Sequence, residues 1–562
     1  MNKAGPHKKE RMPQGVLSGK LEDAADRLLL IALLCCVCVF VLYPVFCILL
    51  RSLSSEQGVT LSMYAEVWRN YRTSLRNSVF VAAISSVLCT AFSVSAALAI
   101  STQRGRLRTL CMGLLLMAMV SPPFISSLAY IQLYGRRGWI SYRLLGFSWN
   151  PYNCWGVIWM QSISFVPLSA LMLIGILSRI DRSSLDSARD LGAGSADRLR
   201  NVILPELGPG LLVSLLLCFV RSLADFGTPI IIGGRFSTLA ADIYLQLTGY
   251  SNLEKASAMN MLLMLPSIAA LFIYRPLMKR LGQGADSRTG QAELGIKLGR
   301  CGAAGLAAIA LSLLYFIMAG LQYICIFASA FVKRTKAGAV ITAEYVQRLW
   351  RYDSVTMLRS VGYGLFVALV GTLFAMLFAY YMDRRRVLGR GFFDCAAMLP
   401  YMLPGTCFGI GYILAFNHAP LRLTGTAAIV ILNMLFRQLP TSTKICSATL
   451  SQLSAAQENA ARDLGAGRIA VLRDVILPGL SPAFISCFAY NFSSSMTTAG
   501  AILFLIDPGR KLAVFKLFDA VYTGDYGLAS VIASLIIVIV VAVEGLAFIL
   551  TRRGSGANVS GA

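Results

Sequence analysis

Long apolar runs alternate with short charged connectors along this chain, at residues 28–50, 78–100, 109–134, 155–178, 208–232, 257–277, 303–328, 359–382, 392–416, 423–443, 481–506 and 527–550. A helix rises about 1.5 Å per residue, so each run can cross roughly 30 Å of hydrocarbon while pairing its own backbone groups. The pattern predicts an all-α polytopic membrane protein of about twelve transmembrane helices. The first run follows a basic preface carrying Lys3, Lys8, Lys9, Arg11, Lys20 and Arg27, without a small-residue cleavage site, and reads as a retained span.

Composition agrees with that solvent. Of 562 residues, 56% are hydrophobic and 14% charged, and a soluble fold of this make-up would expose large apolar patches. Lys and Arg number 51 against 27 Asp and Glu, a formal net charge of +24. The cations punctuate the apolar runs, which points to topology and anionic headgroups and not to nucleic acid. Short connectors at Arg104/Arg106/Arg108 and Arg384/Arg385/Arg386/Arg390 place both termini in the cytoplasm, while Lys333, Arg334, Lys336, Arg348 and Arg351 run against the rule. The 14 cysteines fall mostly within apolar stretches as small hydrophobes, and the two histidines, His7 and His418, are far apart. This inventory predicts no catalytic residues, no metal site and no cofactor.

The chain repeats itself. DSARDLGAGSADRLRNVILPELGPG, from Asp186 to Gly210, matches NAARDLGAGRIAVLRDVILPGLSPA, from Asn459 to Ala483, at an offset of 273. Six spans followed by six in the same orientation imply a pseudo-two-fold axis along the membrane normal. The divisions expected are an N-terminal segment 1–27, a first half 28–278 with its loop at 181–205, a linker 279–300, a second half 301–551 with its loop at 454–478, and a tail 552–562. Within each loop, Ser183 with Asp186 and Ser454 with Gln457 have capping-box spacing. Gly192 and Gly194, like Gly465 and Gly467, suit a positive-φ turn, and Pro205 and Pro478 suit the first turn of the next span. Small Ala188 and Ala461, flanked by Arg189/Asp190 and Arg462/Asp463, leave a flat face for another protein.

These loops resemble the EAA motif of permease subunits of binding-protein-dependent ABC importers. The copies run Asp186-Ser187-Ala188, Gly192, Val202, Leu204-Pro205 and Asn459-Ala460-Ala461, Gly465, Val475, Leu477-Pro478. Asp186 is a conservative departure from the motif's acidic position and Asn459 is not, with Glu458 one residue earlier. The resemblance implies a type I permease fold in the cell (inner) membrane, with two coupling helices docked on two cytoplasmic ABC ATPase subunits. It also implies an extracytoplasmic solute-binding protein. The coupling residues it marks are Asp186, Ala188, Arg189, Asp190, Gly192, Pro205, Asn459, Ala461, Arg462, Asp463, Gly465 and Pro478. The sequence has no phosphate loop of the form G-x-x-x-x-G-K-[ST], so ATP hydrolysis is expected on a separate chain. Leu223–Gly249 and Ser493–Gly527 resemble the iron(III)-type branch, which makes ferric iron the first expectation for cargo; 2-aminoethylphosphonate, thiamine and polyamines are the alternatives.

Polar groups inside spans mark the candidate substrate path. Arg221 and Asp225 are spaced to pair on one helix face, for structure or for substrate, and Gly227 follows where a helix can break. The matching stretch offers Ser493, Ser494, Ser495, Thr497 and Thr498, suited to lining a path or to gluing helices. Arg437 is placed to snorkel, Glu544 has no evident partner, and Pro122-Pro123 with Pro400/Pro404 are placed to kink the third and ninth spans. An ion-gradient transporter of the same parallel duplication is the alternative class.

Overall fold

The computed structural model describes residues 14–55, 58–122, 124–147, 150–250, 252–283, 296, 298–335, 338–385, 387–506 and 508–557. Most of the expected linker 279–300, the first 13 residues, Pro123, Arg386 and residues 558–562 lie outside them.

Among the described residues, seven helical segments are long and apolar enough to cross a membrane: Glu22–Leu53, Ser62–Thr102, Cys154–Leu177, Ser195–Ala224, Gly302–Ser329, Ser354–Arg384 and Tyr526–Thr551. Three bent pairs raise the number to ten. The two remaining expected runs fall in Leu253–Gln283, which carries two prolines, and Ala427–Gln452, which carries Arg437 and Lys444. Two apolar runs end earlier than expected. The fifth breaks after Ala224 and resumes as Gly227–Ile232; the eleventh stops at Thr497 and gives way to turns.

The duplication extends through the architecture. In each half the first span leads into a small antiparallel hairpin, Ser54–Ser55 with Gly58–Val59 and Val332–Thr335 with Gly338–Ile341. The third and ninth spans are broken alike. Gly105–Val120 meets Ile125–Leu144 at 111°, and Arg390–Tyr401 meets Gly405–Phe416 at 111°. The residue before proline is pushed out of the helical region, and both Ser121 before Pro122 and Leu403 before Pro404 are extended, with ψ 141°.

The two halves exchange their first spans. Tyr412 of the second half donates to the Phe40 carbonyl at 2.8 Å, and Phe40 stacks on Phe436 at 5.1 Å. Reciprocally, Tyr323 lies 2.7 Å from the Ser121 hydroxyl, Tyr134 donates to the Met318 sulfur at 2.9 Å, and the Ser329 hydroxyl donates to Gln132. Each half therefore completes its packing with a helix from the other.

Candidate functional site

The repeated loops fold as the same object twice. Asp181 caps Arg182–Asp190 through the Ser183 N–H at 3.0 Å, and Ser454 caps Ala455–Asp463 through the Ala456 N–H at 3.2 Å. The cap of the first loop is thus Asp181 and not Ser183, because its carboxylate reaches the free N–H groups from two residues earlier. This restores the 273-residue register that the Ser183/Asp186 spacing had displaced.

Each short helix closes in the same way. Ala193 N–H bonds the Ala188 carbonyl at 2.9 Å, Ala466 N–H bonds that of Ala461 at 3.0 Å, and Gly192 and Gly465 take φ of +85° and +86°. Such a turn closes a helix without strain only where no Cβ is present. Gly194 and Gly467 do not share this conformation: their φ values are −67° and −68°, and each caps the next short helix instead. A π-helical turn follows in both copies, Leu199–Ile203 and Leu472–Ile476, and Pro205 and Pro478 stand in the turn after it.

What projects from each loop is a leucine. Leu191 and Leu464, 273 apart, are 88% and 90% exposed, each held out by the left-handed glycine behind it. Asp186, Arg189, Asp190, Asn459, Arg462 and Asp463 are exposed around them. Ala188 and Ala461 are only half exposed, so the flat alanine face expected from the sequence turns partly inward. The sequence pattern marks neither leucine, although both sit inside the repeated RDLGAG. The available signal was an apolar residue between a charge and a glycine, outside any apolar run.

The loops differ underneath. Leu185 packs with Leu98, Ile180, Leu199 and Leu298 in an apolar cluster. Its counterpart is Glu458, 6% exposed, which faces Arg384 at 3.5 Å and Arg462 at 3.6 Å. Arg468 pairs with Asp23 at 3.2 Å and with Asp26 at 3.6 Å, and Asp26 also accepts from Tyr381 at 2.8 Å and pairs with Arg385 at 3.3 Å. The first span of one half therefore holds the loop of the other through charge. The helix after the second loop bends by 71° between Arg468–Gly479 and Ser481–Thr497, where the first half continues from Ser195 to Ala224 as one segment.

Deeper in the bundle, Arg221 and Asp225 do not pair. The helix ends at Ala224 and Asp225 is extended, so the four-residue spacing no longer places them on one face. Asp225 accepts from Gln161 at 2.9 Å and from the N–H groups of Gly227 and Thr228 at 3.1 and 3.2 Å, capping the helix that restarts there. Arg221 lies over the Phe165 ring at 5.2 Å. Thr497 and Thr498 bond back to the carbonyls of Ser493 and Ser494, at 2.9 and 2.6 Å, and Ser495 bonds to that of Asn491 at 2.7 Å. Hydroxyls spent on their own helix are poor path lining. Glu544 has a partner after all, the Ser493 hydroxyl at 2.7 Å. Arg437 does not snorkel; its guanidinium donates to the Pro400 carbonyl at 3.2 Å, beside the break in the ninth span.

The broken helices converge on a block of rings contributed by both halves. Phe124 lies 4.9 Å from Phe518 and 6.3 Å from Phe226; Tyr244 lies 6.0 Å from Phe518, 5.6 Å from Phe226 and 6.2 Å from Phe504. Tyr244 and Phe518 occupy the same place in matched ten-residue helices, Leu239–Thr248 and Ala513–Tyr522. Matched serines pin those helices: Ser78 accepts from Leu239 N–H at 2.8 Å and Ser360 from Ala513 N–H at 2.7 Å. Gly227 lies beneath Phe124, where a side chain would collide with the ring, and Gly500 lies beneath Phe226, where a Cβ would sit 3.3 Å from the ring. The rings meet across the interface between the halves, near the breaks at Phe124 and Phe226.

The sequence profile described as binding-protein-dependent transport system inner membrane component matches residues 58–325 and 370–555. The ferric transport system permease protein FbpB of Actinobacillus pleuropneumoniae is 28% identical over 542 residues, covering 92% of this chain and 76% of the relative. A putative ferric transport system permease protein, FbpB 1 of Haemophilus influenzae, is 29% identical over 522 residues, with coverage of 88% and 80%. The molybdenum transport system permease protein ModB of Mycobacterium tuberculosis is 32% identical over 225 residues, 39% of this chain and 81% of that one. A relative of that length corresponds to about one half of the duplicated chain.

Proposed function

Because this chain belongs to the family of binding-protein-dependent transport system inner membrane components, as the permease of an ABC importer, we propose that it carries ferric iron, received from an extracytoplasmic solute-binding protein. Two cytoplasmic ATPase subunits drive it, one on each repeated loop. The halves 28–278 and 301–551 rock about the ring block, and both termini lie on the ATPase side. The observation that carries the coupling role is the matched pair of leucines, 88% and 90% exposed on glycine-closed turns 273 residues apart. An apolar side chain held fully in water twice, in one geometry, fits a groove on a partner. Asp186, Arg189 and Asp190, with Asn459, Arg462 and Asp463, form the polar rim, and Asn459 in place of an acid makes the second grip the weaker. The iron assignment is supported by the two ferric permease relatives that align along most of the chain.

The test is uptake of radioactive ferric iron by cells carrying the complete importer, with and without ATP depletion. Uptake that requires ATP, and that disappears when Arg or Glu replaces Gly192, Gly465, Ala188 or Ala461 while the chain still reaches the membrane, is the expected result. Variants that transport normally and still co-purify with an ATPase would remove the coupling assignment. Uptake of 2-aminoethylphosphonate, thiamine or a polyamine in place of iron would replace the cargo.

A further inference from the structure

Arg437 is a cation inside the bundle whose surroundings leave it underused. It stands ten residues into Ala427–Gln452, about 15 Å along the helix. A guanidinium has five N–H donors. One of them meets the Pro400 carbonyl at 3.2 Å, and among the described residues no carboxylate pairs with it. One turn earlier on the same face, Asn433 is fully buried with both amide atoms unpartnered. Beside them the helix Gly405–Phe416 begins, with no side-chain cap on its free N–H groups. A Cβ at Gly405 would lie 3.4 Å from Arg437 Nη2 and 3.0 Å from Ala501 N, and one at Gly500 would lie 3.3 Å from Phe226. Arg437 therefore adjoins the closure through Gly405 and Gly500. The first half has Ser164 and Met160 at the corresponding positions, so the charge is one-sided.

We propose that Arg437 and Asn433 form a contact for an oxyanion, a carboxylate or phosphate group, and that the solute passes the ring block as an anionic species. Resting on the permease reading above, this identifies the chemical form of the cargo: a bare trivalent cation would meet like charge at Arg437, whereas the anionic oxygens of a ferric chelate, or of a free phosphonate, would be held there. Guanidinium N–H groups match such oxygens in pairs, and an unpartnered amide supplies a further donor.

The full-length chain in lipid nanodiscs, without partners, tests the site directly. Sodium phosphate, citrate and 2-aminoethylphosphonate are added separately and compared with sodium chloride at equal ionic strength. At about tenfold over Kd, an oxyanion should raise the unfolding midpoint of the native chain by about 1–2 °C beyond chloride. R437Q should abolish that difference, N433L should reduce it, and R437K should keep part of it. The anion giving the largest shift separates a chelate from a phosphonate. A tie to Pro400 alone would alter the starting midpoint and leave the anion response unchanged. An R437Q chain that responds like the native one, or a native chain that responds to oxyanions no more than to chloride, overturns the proposal.

Transport supplies the second readout. With ferric citrate in cells carrying the whole importer, R437Q at normal membrane levels should lose at least about tenfold in uptake and R437K about threefold, each factor of ten being about 1.4 kcal/mol. R437Q transporting iron at the native rate overturns the anion site and leaves the iron reading standing. A chain that imports iron in no form but keeps the Arg437-dependent shift overturns the iron reading and supports the anion site.

Discussion

At the residue scale, the leucine tips and their glycines carry the coupling proposal. Leu191→Asp or Leu464→Asp puts a charge where an apolar groove is expected, and each should cut ATPase co-purification and uptake by at least about tenfold without changing chain stability, since neither leucine packs against its own fold. Pull-down of the ATPase beside a thermal melt of the purified chain checks both halves of that statement. Gly465→Ala is different in kind. It forces a Cβ into φ +86°, should cost about 1–2 kcal/mol locally, and should weaken coupling while Leu464 remains in place. RDLGAG alone marks both of its glycines as turn formers, and only the first in each copy takes the positive φ. The leucines are not marked, because a hydropathy profile dominated by membrane spans hides one apolar residue in a polar loop.

At the element scale, helix ends decide more than helix lengths. Asp225→Asn keeps the shape but removes the charge that caps the helix restarting at Gly227; it should destabilise that turn by about 1 kcal/mol and raise amide exchange between Gly227 and Ile232, measured by hydrogen–deuterium exchange. On an unbroken helix the same aspartate would share a face with Arg221 as half of an ion pair. Prolines at 122 and 404 were legible as kinks, but a sharp 111° break is set by what receives the returning helices, here the exchanged first spans, through Tyr134 on Met318 and Tyr412 on Phe40. The second loop adds an ionic clasp. Asp26→Asn with Arg468→Gln should free it from the first span while the apolar first loop stays fixed, seen as faster exchange confined to residues 455–476 and as uptake that becomes less sensitive to salt.

For the whole molecule, the interlocked first spans mean that neither half is complete alone, so co-expressed halves split within the linker should assemble, while either half by itself should be degraded or aggregate; co-purification of tagged halves measures this. Tyr244→Ala with Phe518→Ala should open the ring block, detected as ATP-independent leak of a small solute from vesicles. The sequence by itself determined the membrane class, the duplication, the two loops and their glycine turns, because burial in lipid and backbone chirality act on residues near one another along the chain. Only the tertiary structure decided which rings meet between the halves, which carboxylates serve as caps, that Glu458 replaces Leu185 beneath the second loop, and that Arg437 lies beside the closure. The ring contacts join residues as far apart as Phe124 and Phe518, the caps depend on where the folded bundle breaks each helix, and whether a polar side chain in a span is satisfied depends on which carbonyl, amide or ring the bundle brings to it.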